Sequence, residues 1–173
     1  MNKGCLIFAH NTDIDYASMA ILAAKLVGKH LDVPVSLVTD TGTLAWMKDN
    51  DNINVEETFD KIIFTDDYLK NKKQIRRYYD GSIDYKKADF KNGYRAWAFE
   101  YSPYEQTLVI DVDFLVVNDR LNNVWDSNSD FMINRVSQDL ARDRKLLEFN
   151  RVSDHGIEFF WATAFYFKKY FLA

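Results

Sequence analysis

Cysteine is almost missing from this 173-residue chain, in which Cys5 stands alone. That count excludes a disulfide framework and a cysteine-based zinc cluster, and one thiol in an apolar stretch fits a reducing compartment, the cytoplasm. Glycine (6) and proline (2) are scarce as well. No Pro/Gly-rich linker divides the chain, so residues 1–173 read as one domain with one core. No Gly-x-Gly-x-x-Gly follows the first apolar run and no Walker loop occurs, which removes the dinucleotide and P-loop readings. Long apolar runs are absent too. The N-terminal GCLIFA is too short for a signal-peptide core, and the C-terminal FFWATAFYFKKYFLA falls short of a membrane span and carries Lys168 and Lys169.

What is present points to a globular chain: 47% hydrophobic, 16% aromatic and 28% charged residues are too apolar for disorder and too charged for an integral membrane protein. The net charge of −4 hides an asymmetry. Between Lys70 and Arg95 nine basic residues face three acids, which makes that segment +6 and the remainder −10. A positive stretch beside a negative body draws anions such as diphosphates, although the same composition also makes an ordinary solvated surface. There is no strong nucleic-acid signal.

Along the chain, apolar and amphipathic segments alternate. GCLIFAH (4–10) reads as a buried strand and Asn11-Thr12-Asp13 as a polar loop. From residue 14 to about residue 30, apolar residues at helical spacing predict a helix, with Asp13 or Asp15 as its cap. VPVSLVTD (33–40) predicts a second strand, TGTLAWMKDN a helix capped by Thr41 or Thr43, and KIIFTDD (61–67) a third strand. A helical pattern recurs around Tyr94, Trp97, Ala98 and Tyr101. Strand–helix alternation predicts an α/β fold, with helices on both faces of a mostly parallel sheet and ligands at the carboxyl ends of its strands.

One stretch breaks the apolar pattern. TLVIDVDFLVVND (107–119) reads as a covered strand interrupted by Asp111 and Asp113. Asp is abundant, at 20 of 173 residues, so about two Asp-x-Asp triplets arise by chance. Asp13-Ile-Asp15 and Asp49-Asn-Asp51 lie in polar or mixed surroundings and carry no signal. The third lies within Leu108–Ile110 and Phe114–Val117. In an extended chain residues i and i+2 project to the same side, so Asp111 and Asp113 are expected to offer two carboxylates to one point. Such a pair repels itself unless a cation or a shared proton lies between, and its oxygens suit Mg²⁺ or Mn²⁺ completed by water and phosphate. The alternative is that both carboxylates cap neighbouring helices or end the strand.

Two blocks, FAHNTDIDYASMAILAAKLV (8–27) and YRAWAFEYSPYEQTLVIDVDFLVVNDRLNNVWD (94–126), resemble nucleotide-sugar glycosyltransferases of the GT-A fold. They are most similar to the retaining family of glycogenin and the bacterial lipopolysaccharide galactosyltransferases. The spacing of 16 between Arg95 and Asp111 also suits that family. The resemblance implies a three-layer GT-A sandwich, a UDP-sugar donor, and Mn²⁺ or Mg²⁺ held by Asp111 and Asp113. It implies further that His10 and Thr12 meet the nucleoside, that Tyr16 packs on its base and that Asp13 stands near the ribose or base edge. Asn11 and Val112 join the donor-binding set, and Arg95 faces the diphosphate with Lys91 beside it.

The sequence also departs from the family. Where the family opens the strand after the metal site with Asn-Ser-Gly, this chain reads Trp161-Ala162-Thr163-Ala164. The later Asp-Gln pair and metal-binding His of the family are expected beyond residue 173, and the setting of His155 does not match that His motif. These departures keep a non-catalytic nucleotide-sugar-binding module in view. A haloacid-dehalogenase phosphatase also uses a strand ending in Asp-x-Asp, but there that strand is normally the first, and here about four elements precede it.

Overall fold

The computed structural model describes residues 2–49, 54–65, 75–78, 86–89, 92–134, 138–139, 144–145 and 161–169. Its framework is a six-stranded sheet in the order β3-β2-β1-β6-β10-β7, formed by Lys61–Phe64 (β3), Val35–Thr39 (β2), Lys3–Phe8 (β1), Gln106–Ile110 (β6), Trp161–Lys168 (β10) and Phe131–Asn134 (β7). β3, β2, β1 and β6 run parallel. β10 is antiparallel to both of its neighbours. Ile75–Tyr78 (β4) and Lys86–Asp89 (β5), inside the basic segment, form a separate antiparallel pair, as do Gln138–Asp139 (β8) and Arg144–Lys145 (β9).

Helices lie on both faces. On one, α1 (Tyr16–Leu31) buries Ala17, Ala20, Ile21, Ala23, Ala24, Val27 and Leu31 in a cluster with Cys5, Ile7, Leu37, Leu108 and Ile110. The four alanines on this stripe bring the helix backbone close to the sheet, and burial of each larger aliphatic side chain contributes about 1.5–3 kcal/mol. Of the two expected caps Asp15 serves, its side chain accepting from the Ser18 amide at 3.1 Å. The helix ends at Asp32, which takes the left-handed conformation at φ 53°. On the opposite face a 3₁₀ turn at Asn92–Trp97 and a short helix α4 (Ala98–Tyr101) cover Leu6, Phe8, Val38 and Val109. Together these layers make the α/β three-layer sandwich around a mostly parallel sheet expected from the sequence. No helix among the described residues is long and apolar enough to cross a membrane.

Two local readings change. α2 (Thr41–Asp49) is capped by Asp40, whose carboxylate accepts from the Thr43 amide at 2.7 Å, rather than by Thr41 or Thr43. Thr43 lies one turn inside, and its hydroxyl accepts instead from the Asn11 amide at 2.8 Å. The second change concerns the Asp-x-Asp strand. β6 stops at Ile110, and Asp111, Val112 and Asp113 form a turn in which the Phe114 amide donates to the Asp111 carbonyl at 3.0 Å. The apolar run suggested a strand continuing to residue 117. Within Phe114–Val117, however, only Val116 is deeply buried, while Leu115 and Val117 are 52% and 70% exposed.

At the other end of the sheet Tyr104 locks the parallel strands together. Its hydroxyl lies 2.6 Å from Ser36 Oγ on β2, and its ring lies over Gly4 of β1, where a β-carbon would collide with it. Only glycine permits that approach.

Candidate functional site

Because β1, β2, β3 and β6 are parallel, their carboxyl ends lie along one edge of the sheet. Ile7 pairs with Ile110, so the segments leading to His10 and to Asp111 leave the sheet side by side. The expectation that both candidate segments share an edge is met.

His10 is 5% exposed and held from two sides. Its Nε2 lies 3.0 Å from Thr65 Oγ1, and its ring stacks on Tyr94 with centroids 5.0 Å apart. The Thr65 hydroxyl also lies 3.2 Å from the Thr39 carbonyl, to which it can donate. The Thr65 amide also donates to the Thr39 carbonyl, and the Thr39 hydroxyl to the Ala9 carbonyl. The ends of β1, β2 and β3 are thereby bound into one network.

The loop after β1 is shaped by its own polar residues. Asn11 Oδ1 accepts from the Ala17 amide at 2.8 Å, which ties the loop to the first turn of α1. Thr12 Oγ1 accepts from the Ile14 amide at 3.2 Å. Thr12 and Asp13 are exposed on this loop, and Tyr16 is half-buried against the α1-side core.

Across the edge, the Asp111 amide donates to the Thr163 carbonyl of β10 at 2.8 Å. Arg95, on the 3₁₀ turn, forms an ion pair with Asp111 through Nη1, while Nη2 donates to the Ala162 carbonyl at 2.5 Å. The guanidinium lies over the Phe165 ring, and its buried Nε has no hydrogen-bond partner among the described residues. The pairing of β10 with β7 is irregular between Trp161 and Phe165, in the stretch that supplies the Ala162 and Thr163 carbonyls. The counter-ion of Arg95 is thus one of the two carboxylates of the Asp-x-Asp stretch itself.

Val112, at the centre of the turn, is buried, whereas Asp113 is exposed. The extended geometry expected to align the two carboxylates is replaced by this turn, because the chain must leave the sheet edge there. Among the described residues no three His, Cys, Asp or Glu side chains cluster. The chemistry of the pair still fits a hard divalent cation: two carboxylates close in sequence at an open edge, with Arg95 already standing on one of them as a positive charge. Lys91 and His155 lie outside the described residues.

Three contributors escaped the sequence reading: Thr65, Tyr94 and the Ala162–Thr163 main chain. The rule that placed His10 at a strand end applies equally to Thr65 at the end of β3, and would have found it. Tyr94 precedes Arg95 in a segment read only as helical. On the 3₁₀ turn the two neighbours face different strand ends, Tyr94 on His10 and Arg95 on Asp111.

No family model matches the chain, and no curated protein matches it. Solved structures do. The chain is similar to the galactosyltransferase LgtC in complex with donor and acceptor sugar analogs, with 16% identity, a TM-score of 0.54, and 95% of this chain and 57% of that one covered. The active-site mutant Q189E of LgtC gives 17% identity, a TM-score of 0.55 and the same coverage. The chain thus spans less than two thirds of the length of these neighbours, and at such identity the likeness establishes a fold: that of the GT-A glycosyltransferases.

Proposed function

We propose that this chain is the nucleotide-sugar-binding part of a metal-dependent glycosyltransferase, with a UDP-sugar as donor. One observation carries the reading. The 3₁₀ turn Asn92–Trp97 joins the two strand ends, with Tyr94 on His10 and Arg95 on Asp111, at the edge where a parallel sheet takes its ligand. The fold that this edge belongs to is shared with LgtC, whose structure was determined with donor and acceptor sugar analogs.

In this reading the loop Asn11-Thr12-Asp13, together with His10, frames the nucleoside, and the half-buried ring of Tyr16 offers a face to its base. Val112 contributes through its main chain at the turn. Asp111 and Asp113 hold Mn²⁺ or Mg²⁺, and Arg95, with Lys91, faces the diphosphate. When bound, the cation supplies positive charge that offsets the charge developing on the leaving nucleoside diphosphate. The chain's own residues orient the donor and hold its phosphates, so that the sugar's anomeric carbon is presented to an acceptor.

A thermal-shift series with UDP and UDP-sugars, with and without Mn²⁺, tests the reading. Ligand at 100 times its dissociation constant should stabilise the fold by about 2.7 kcal/mol. UDP release measured with and without candidate acceptors then separates transfer and hydrolysis from a module that only binds. No stabilisation by any uridine nucleotide with Mn²⁺ would overturn the proposal.

A further inference from the structure

Arg95 and Asp111 are both largely enclosed, with side-chain exposures of 12% and 22%. A guanidinium there has its charge balanced by one carboxylate, and through Nη2 it also serves the Ala162 carbonyl. Asp111 is also one of the two carboxylates assigned to the cation in the proposed function, on which this inference rests. A divalent ion and a guanidinium are like charges competing for the same oxygens.

We propose that Arg95 is a displaceable stand-in cation. In the metal-free protein it neutralises Asp111, and it gives up that carboxylate only when a diphosphate offers it a replacement anion. The charges explain the coupling. With Arg95 on Asp111, one of the two carboxylates assigned to the cation already carries a competing positive charge, which weakens the attraction for a free divalent ion. Once Arg95 moves to a diphosphate, its positive charge no longer competes for Asp111, and the phosphates supply further oxygens. The cation and the diphosphate therefore bind together far better than either binds alone, and by linkage each tightens the other by the same factor. The Nε without a described partner fits a side chain built for two arrangements, since only part of its donor fork is used in this one.

The test is the dissociation constant of Mn²⁺, read by electron paramagnetic resonance of the free ion, with and without saturating UDP. The comparison covers the full wild-type chain, Arg95→Gln and Arg95→Lys. Arg95→Gln should bind Mn²⁺ without nucleotide about tenfold or more tightly than wild type, because the competing charge is gone. Its gain in Mn²⁺ affinity on adding UDP should shrink correspondingly. Arg95→Lys keeps the charge and should bind free Mn²⁺ as weakly as wild type. A purely structural Arg95 would give a variant that binds Mn²⁺ no better, and free Mn²⁺ affinity in Arg95→Gln equal to or below wild type overturns the proposal. Should Arg95→Gln fail to fold, the wild type still tests the coupling: equal Mn²⁺ affinity with and without UDP overturns the proposal. UDP that binds no variant at any Mn²⁺ concentration removes the nucleotide-sugar reading, while the comparison of free Mn²⁺ between wild type and Arg95→Gln still reads the displacement.

Discussion

Tyr94 lies stacked on His10, their planes 18° apart, while Thr65 Oγ1 lies 3.0 Å from Nε2 of the same ring: one contact holds the face of the imidazole and the other its edge. The two supports predict different losses. Thr65→Val keeps the volume but removes the hydroxyl that bonds Nε2 and reaches the Thr39 carbonyl, and should destabilise the fold by about 1–3 kcal/mol. Tyr94→Ala removes an aromatic pair worth about 0.5–1.5 kcal/mol beyond its buried area. Urea unfolding of both variants checks the magnitudes. Because each variant loosens His10, UDP affinity measured in Mn²⁺ should fall as well, and unchanged affinity in both would take His10 out of the nucleoside pocket.

Tyr16 is half-buried against the core at the start of α1, next to the loop that His10 leads into. If its ring receives the base, Tyr16→Ala should weaken UDP binding by about 1–3 kcal/mol, the range for bases stacked on aromatic side chains. Titration calorimetry of the folded variant reads this directly. A variant that is less stable but binds UDP as tightly as wild type would leave Tyr16 as a core residue.

Much of this arrangement was legible in the sequence, and the failures share a cause. The parallel strands were readable because each is a short apolar run closed by polar residues, and the rule for strand ends then placed His10 and Asp111 on one edge. The direction of β10 was not readable, since an apolar strand has the same composition whichever way it runs. The end of β6 was missed because Phe114–Val117 continue the apolar run, although Leu115 and Val117 turn out to be exposed. Turn formation at Asp111 depends on the backbone bond from its amide to Thr163, a pairing more than fifty residues away in the chain. The Arg95–Asp111 ion pair was hidden for the same reason. Local pattern names the charged residues, and only tertiary geometry decides which of them meet.

High pH should destabilise the protein through two buried groups, Cys5 on β1 and Tyr104 just before β6. Burial pushes the Cys5 thiol well up, opposed in part by a backbone hydrogen bond from Leu6. Burial likewise pushes the Tyr104 phenol up; the Ser36 hydrogen bond lowers it and the Asp60 carboxylate raises it further. Both groups are acids whose folded-state pKa lies above the unfolded value, so their contribution to stability is complete below the unfolded value and is lost as pH rises beyond it. For Cys5 the loss begins near about 8.5 and for Tyr104 near about 10, at up to about 1.4 kcal/mol per pH unit for each group. Urea midpoints at pH 7.5, 9 and 10.5 should therefore fall progressively. Cys5→Ala should start lower but lose less between the first two points, and a decline identical to wild type would assign the alkaline loss elsewhere.

The two carboxylates of the Asp111–Asp113 turn should respond in opposite ways to removal of their charge. Asp111 is the counter-ion of Arg95 in a largely enclosed pair, whereas Asp113 is exposed at the far side of the turn. Asp113→Asn removes a like charge near Asp111, so the metal-free protein should be about as stable as wild type or slightly more so. Asp111→Asn leaves the guanidinium without its counter-charge and should cost the metal-free fold about 1–3 kcal/mol. If both carboxylates hold the cation, either substitution should abolish the thermal shift given by Mn²⁺ with UDP and eliminate transfer. Stability and binding then move together in Asp111→Asn and apart in Asp113→Asn. An Asp113→Asn protein that keeps its full Mn²⁺–UDP shift would remove Asp113 from the cation site, and a loss of metal-free stability in that variant would make its role structural.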